Sequence, residues 1–581
     1  MLPILPVPHQ RSVLTTVCPA QPASRWLLLL ALPLAAPLFA QISPPDQELL
    51  RQQERERALR EQMEQRPDAR LQEGPARALP ALPKDESPCF PIQRILLRGE
   101  QADTFQWALQ AADPRKDPAT GRCLGTEGVN IVMARVQNAI IARGFVTTRV
   151  LATPQDLSSG ELVLTVVPGT INAIHFAEGT ARDATMWNTI PAAPGDLLNL
   201  RDIEQGLENF KRVPTAEADI QIAPAEGSNV QPGQSDLLVQ WSQQRLVRFN
   251  LSLDDAGSRA TGKNQVGGTL SLDHALRQND LFYVNLNHDA FTGGKRGSKG
   301  FTFHYSIPVG YWLFSATRSG YDYHQSVPGY QQDYLYSGES HNAEVRVTRL
   351  IARTARSKTS LYARGWERDS KNFIDDTEVL VQRRRMGGWE LGLSHRQFLG
   401  TATLDATFGF RRGTGAFGSL PAPEELFGEA TSHPKIYFAD AQLVVPFQLG
   451  QQRLRYTGNW RAQWNRGGLV PQDRFAIGGR YTVRGFDGEM SLVGERGWSL
   501  RNDIGLALGG GQEFYVGVDY GQVGGSSTQW QVGDHLTGGV VGLRGAMKGL
   551  YWDLFVGQSL DKPRGYQSAY TTYGFSLNWS F

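Results

Sequence analysis

From Arg245 to Phe581 apolar residues recur at every second position, and no helical period interrupts them. Trp498, Leu500, Ile504, Leu506 and Leu508 share one face; Ser499, Arg501, Asp503 and Gly505 share the other. Phe514, Val516, Val518 and Tyr520 oppose Tyr515, Gly517, Asp519 and Gly521 in the same way. So do Leu454, Tyr456, Trp460 and Trp464 against Arg455, Thr457, Arg461 and Gln463. A period of two makes these strands. A soluble sandwich alternates too, but here the polar faces carry Arg and Asp and the apolar faces end in aromatics. Apolar outward and polar inward is what lipid demands of strands closed into a barrel. About 16 strands are expected, starting near residues 245, 264, 281, 298, 311, 339, 357, 378, 401, 434, 451, 496, 512, 535, 549 and 571. A barrel of that size encloses a channel. An even count leaves both ends on one side, with long connections at 322–338, 411–433, 465–495 and 559–570 on the other.

Composition agrees. A mean hydropathy of −0.35 excludes a bundle of transmembrane helices. The 62 Gly, 13 Trp, 18 Tyr and 26 Phe suit strands and turns. A formal charge of +2, from 59 Lys+Arg against 57 Asp+Glu, leaves no broad nucleic-acid footprint.

The one long apolar run is Trp26–Ala40, preceded by Arg11 and Arg25. It falls short of the ~20 residues a spanning helix needs, so residues 1–40 are expected to be a signal peptide. Cys18 lies upstream of that run, which argues against a lipidated cysteine. Cys89 and Cys123 remain after cleavage and predict one disulfide formed in an oxidising compartment. Residues 41–67 read as a polar helix: Ser43-Pro44-Pro45-Asp46 starts it, Gln47–Gln65 continues it and Pro67 stops it. Its apolar residues are Leu49, Leu50, Ala58, Leu59 and Met63, too few for lipid or for a core. It either threads a wet lumen or is a solvated leader. Residues 68–88, with Pro75, Pro80 and Pro83, read as an extended linker.

Two similar modules follow, at 89–169 and 170–243. The first reads as strand Ile92–Leu97, helix Val129–Arg143 closed by Gly144, and strands Phe145–Leu151 and Glu161–Val167. The second reads as strand Ile171–Phe176, helix Leu200–Lys211, and strands Ala218–Ile222 and Asp236–Ser242. The duplicated pattern, with ARGFVTTRV and GELVLTVVPGTINAI in and after the first round, resembles paired POTRA domains. That resemblance implies partner recognition by strand addition at a sheet edge.

The connection 465–495 is too long to be idle. It carries Val483-Arg484-Gly485-Phe486, and Asp519 follows Arg484 by 35 residues on a lumen-facing position. An inward cation needs a partner, which predicts a loop folded into the channel with Arg484 on Asp519. Asp503, from the preceding strand, is an alternative or additional partner. In this order, helix, linker, two modules, barrel and loop motif resemble the outer-membrane transporters of two-partner secretion, the ShlB/FhaC/HecB family. The family's strand motif is met by Phe514, Gly517 and Asp519, with one residue between Gly517 and Asp519 where the family pattern has two. The closing Leu577, Trp579 and Phe581 resemble the terminal strand read by barrel-assembly machinery.

The resemblance implies a 16-strand barrel at 244–581, a plug helix, and periplasmic POTRA domains under the outer membrane of a Gram-negative cell. It implies export of a large β-helical partner, such as a haemolysin, adhesin or toxin, bearing an N-terminal secretion domain. Outer-membrane lipid and the assembly machinery are the other expected partners, and a monomer is expected. No G-x-S-x-G or metal-ligand spacing appears, so no enzyme activity, cofactor, metal or nucleic acid is expected. Rival readings are a barrel-assembly insertase, which usually carries more POTRA domains and no plug, and a solute porin, against which the two modules argue.

Overall fold

The computed structural model describes residues 44–64, 67–71, 79–181, 183–228 and 230–581. The signal-peptide reading, Cys18 and the Ser43 cap lie outside these residues. Among the described residues no helix is long and apolar enough to cross a membrane. The crossing is made by strands.

Sixteen strands close on themselves. They are β1 (Val247–Asp254), β2 (Asn264–Asp273), β3 (Leu281–Ala290), β4 (Arg296–Val309), β5 (Trp312–Pro328), β6 (Asp333–Thr354), β7 (Ser357–Ile374) and β8 (Arg384–Leu399). The circuit continues with β9 (Ala402–Thr414), β10 (Lys435–Leu449), β11 (Gln452–Trp464), β12 (Arg496–Gly509), β13 (Gln512–Gly524), β14 (His535–Met547), β15 (Leu550–Asp561) and β16 (Thr571–Ser580). Each neighbouring pair is antiparallel, and β16 closes on β1 over the short register Asn250↔Ser580 to Asp254↔Ser576. Leu577 and Trp579 sit in that seam opposite Leu253 and Leu251. The Phe581 N–H donates to Phe249 O at 2.9 Å.

The faces are inverted relative to a soluble protein. Leu286, Phe303, Val345, Leu391, Phe408, Ile504, Val518 and Val541 stand exposed on the outside, an apolar band of the size that marks a lipid contact. Ser271, Thr302, Ser306, Ser319, Asp503 and Asp519 are buried inside.

Four expectations about strands need correction, three here and one in the first small module below. The stretch 322–338 is not a long connection: β5 and β6 pair through it up to Pro328↔Asp333. Its main chain stays paired across the hairpin, so strand pairing continues where apolar alternation fades. β8 begins at Arg384 and not near 378, because Thr377–Glu378 turns back onto β7. The single strand Ile92–Leu97 is two: Phe90–Ile92 pairs with Arg122–Leu124, and Arg94–Gly99 runs parallel to Glu161–Val167.

Both small modules share one plan, a parallel pair with an antiparallel edge strand. In the first the edge is Arg149–Leu151. It is shorter than the expected Phe145–Leu151, because Phe145 turns in to meet Phe105, ring centroids 5.1 Å apart. In the second, Thr170–Phe176 runs parallel to Gln234–Gln243, and Ala216–Pro224 is antiparallel. The helices α2 (Thr126–Ala142) and α3 (Leu200–Phe210) cover the sheets. Gly125, at the N-cap of α2, has no side chain to offer. The linker's Glu86 supplies the cap instead, accepting from Gly125, Glu127 and Gly128 N–H at 2.7, 2.9 and 3.1 Å. Cys89 and Cys123 form a disulfide with Cα atoms 5.2 Å apart, beside that cap.

The second module is seated on the periplasmic turns of the barrel. Asn188 Nδ2 donates to Pro308 O at 3.0 Å, and Asn209 Nδ2 to Gly310 O at 2.8 Å. The Trp241 ring lies 5.2 Å from that of His274.

Candidate functional site

Twenty residues, Pro44–Met63, form helix α1, about 30 Å long at ~1.5 Å per residue. It starts at Pro44, within the expected Ser43-Pro44-Pro45-Asp46 start, as Pro44 and Pro45 suit a first turn whose N–H groups lack helical partners anyway. It ends at Met63, and the expected last residue, Gln65, lies outside the described residues. The helix lies inside the barrel, and its side chains reach the wall. Arg461 Nη1 and Nη2 donate to Glu54 at 2.7 and 2.9 Å. Arg60 pairs with Glu344 at 2.7 Å, and Arg57 with Asp440 at 3.6 Å. Arg55 Nη1 donates to Gln265 Oε1 at 2.9 Å, and the Tyr321 hydroxyl donates to Glu48. At its periplasmic end Leu59 and Met63 pack on the core of the second module. A cavity of about 1210 Å³ remains beside the helix. These contacts are polar because alternation along each strand turns its polar residues inward. A polar helix that could bury itself nowhere else finds its complement there.

The loop 465–495 occupies the same lumen. Phe475–Ile477 and Leu492–Gly494 pair as a small hairpin. Around it Ile477, Val483, Phe486, Met490 and Leu492 pack against Val523 and Leu536 of the wall and Tyr566 of the connection between β15 and β16. Phe486 meets Tyr566 edge-on, centroids 5.5 Å apart. Gly485 has φ +98°, and a Cβ there would strike Gln558 O; a Cβ on Gly538 would strike Arg484 O. The loop therefore lies flush on two backbone segments of β14 and β15.

Arg484, 3% exposed, sits at the centre. Its N–H and Nε–H donate to Asp519 Oδ2 at 3.0 and 2.7 Å, its Nη2 to Asp519 Oδ1 at 2.8 Å and to Asp503 Oδ1 at 2.6 Å. Both sequence candidates are partners. Asp503 also takes Arg544 at 3.3 Å, and Arg544 lies over the Tyr515 ring at 4.5 Å. Gly517 faces inward, where a Cβ would lie 3.0 Å from Arg484 Nη2, so the glycine leaves room for the guanidinium. The one-residue spacing from Gly517 to Asp519 puts both on the lumen face, as the strand period requires. Phe514 faces outward at 39% exposure and takes no part in the cluster.

Helix and loop also hold each other. Arg51 Nη2 donates to Gly488 O at 2.7 Å, and Gln53 Nε2 to Gln472 O at 3.3 Å. Sequence reasoning missed Arg544, Glu54 and Arg461 as members of this arrangement. The inward phase of β11 and β14 was a signal for the two arginines. Nothing local pointed Glu54 at Arg461. Among the described residues no three His, Cys, Asp or Glu side chains converge as a metal site would need.

A family profile described as haemolysin secretion/activation protein ShlB/FhaC/HecB matches residues 233–545. POTRA-domain profiles match 90–169, of ShlB type, and 170–224. The chain is 34% identical over 550 residues to the outer membrane transporter CdiB-2 of Burkholderia pseudomallei (strain 1026b), covering 91% of this chain and 93% of that one. It is 24% identical to the hemolysin transporter protein ShlB of Serratia marcescens, covering 77% and 78%. The solved structure of CdiB from Acinetobacter baumannii superposes with a TM-score of 0.81 at 31% identity, over 93% of this chain and 100% of that one. With a closed 16-strand barrel, two POTRA modules and a loop arginine fixed to the lumen wall, the chain belongs to the ShlB/FhaC/HecB haemolysin secretion/activation family of outer-membrane transporters.

Proposed function

We propose that this chain exports a large partner protein to the cell surface in two-partner secretion, and that a barrel closed by its own helix and loop is its resting state. Its partner is a large β-helical protein recognised through an N-terminal secretion domain. The observation that carries the reading is a lumen filled twice, by helix α1 and by loop 465–495, with the helix held to the wall by hydrogen bonds and ion pairs. Such contacts exchange for water at small net cost, so the helix can withdraw while the barrel stays intact. Among the described residues the module edge Ala216–Pro224 has one side with no strand on it, where an extended chain can pair; beside Arg149–Leu151 the Thr148 O and Val150 N–H are already taken by Gln137. The exported chain crosses unfolded and folds outside. For a long repeat protein that gain amounts to several kcal/mol or more, enough to prevent return. The chain itself then needs no catalytic chemistry or cofactor. It works as a monomer and is inserted by the barrel-assembly machinery.

Co-expression with a large secreted repeat protein encoded in the same genome, in a Gram-negative host lacking both, tests this. Partner protein should reach the cell surface with this chain and stay periplasmic without it. A partner that surfaces without the chain, together with loss of other barrels when the chain is depleted, would favour an insertase.

A further inference from the structure

Beyond α1 the chain leaves the lumen through Pro67–Leu71, and each of these five residues is held at the junction of the second module with the barrel. Ala69 N–H donates to Glu208 Oε1 at 3.0 Å and Leu71 N–H to Glu204 Oε1 at 2.9 Å. Arg353 Nη2 donates to Ala69 O at 2.6 Å, and Lys358 Nζ to Pro67 O at 3.4 Å. The Asp68 carboxylate takes Lys358 at 2.5 Å and Arg396 at 2.8 Å. The Arg70 guanidinium lies 4.3 Å over the Phe398 ring.

The grip has a period of two. Ala69 and Leu71 present their N–H groups to α3 and pack on the second module's core. Asp68 and Arg70 reach the barrel between them. Glu204 and Glu208, four apart on α3, form one face of a helix. This is how an extended strand is bound, main chain for affinity and alternate side chains for selection.

The walls are also paired among themselves. Arg353, its side chain 3% exposed, pairs with Glu204 and Glu208 at 2.9 Å each. Lys358 pairs with Glu208 at 2.8 Å, and Arg396 with Asp405 at 2.6 Å. The groups that hold the segment are thus fixed by each other, as a preorganised site requires.

We propose that this junction is a peptide-binding site, filled at rest by the protein's own Pro67–Leu71. Once that segment withdraws, the site takes an extended stretch of the exported partner with an acidic side chain between small or apolar ones. The occupant rests on the export reading above. An exported β-forming chain alternates apolar and polar residues, and four of the contacts engage only its main chain, so many of its segments fit. One acid per segment satisfies Lys358 and Arg396. The site lies at the periplasmic mouth of the lumen, and the plug's linker must vacate it as the plug leaves. Plug exit and cargo entry would therefore be coupled through one seat.

The test uses the full-length chain and a dye-labelled peptide, Pro-Asp-Ala-Arg-Leu, read by fluorescence polarisation. In the Asp68→Ala/Arg70→Ala variant the protein's own segment holds weakly, and the peptide should bind at least tenfold tighter than to the wild type. A Pro-Ala-Ala-Arg-Leu peptide should bind that variant at least tenfold more weakly. No binding to the variant, or equal binding of both peptides, overturns the site. A photo-crosslinking residue replacing Phe398, in cells exporting the partner, separates this inference from the function it rests on. Partner exported and captured supports the site. Partner exported but never captured overturns the site alone. No export overturns the function.

Discussion

Arg484 grips Asp519 through three hydrogen bonds, of 3.0, 2.7 and 2.8 Å, one from its main chain and two from its guanidinium. Both residues are almost wholly buried. The guanidinium fork reaches Asp503 at the same time, a geometry that a lysine's single ammonium does not reproduce. The long loop is thereby pinned to two adjacent strands of the wall.

Replacing Arg484 with Ala leaves two buried carboxylates short of a partner, at a cost of about 2–5 kcal/mol. That should free the loop without unfolding the barrel. We expect secretion of the partner to be nearly abolished, with the barrel still heat-modifiable in the outer membrane. Arg484→Lys should rescue little. Asp519→Ala should resemble Arg484→Ala, and the double variant should be little worse than either. Additive losses would reject the pairing as the functional unit.

Deleting Pro44–Met63 should raise single-channel conductance in planar bilayers while the barrel still assembles. The helix fills the lumen, and its links to Arg461, Glu344 and Asp440 are solvent-replaceable. Arg461→Glu sets a like charge against Glu54 and should give openings more frequent than wild type but short of the deletion. Unchanged conductance in the deletion would show that the helix does not limit the pore.

Cys89 and Cys123, 34 residues apart and bonded, should resist thiol labelling without reductant. Loop closure of that size stabilises by roughly 3–4 kcal/mol in the chain-entropy account. Reduction should then speed hydrogen exchange across 90–169 and leave 170–243 unchanged. Labelling of both cysteines in folded, unreduced protein would contradict the bond.

Asp117 ties the linker to the first module. The Leu82 N–H, 2.9 Å away, and the Arg135 and Arg122 guanidinia hold its carboxyl below the usual carboxylate range. A depressed folded value means the tie is complete above the unfolded value of about 3.9 and is lost as pH falls through the lower folded one. The protection factor of the Leu82 amide should be flat from neutral pH to about 4 and drop below it. Asp117→Asn should lower it at neutral pH. A protection factor insensitive to acid would refute the tie.

The period of two determined a great deal from sequence alone. It set the strand count, assigned each strand a lipid face and a lumen face, and placed Asp519 and Asp503 inside before any fold was known. Strand geometry leaves no other option, because successive side chains must point to opposite sides and lipid accepts only one kind. The length and polarity of α1 likewise narrowed its home to a wet lumen or open solvent. What alternation cannot carry is depth and rotation. Glu54 meets Arg461 across 407 residues of chain, and Pro67–Leu71 meets Arg353, Lys358 and Arg396 across 284, 291 and 328. A helix free to turn and slide in a polar tube has many chemically acceptable positions. Only the closed barrel, the seated second module and the loop flush against Gly538 fix which charges face which. Local sequence constrains directions along a strand, but the partners of those side chains are set by shape, and shape is a property of the whole chain.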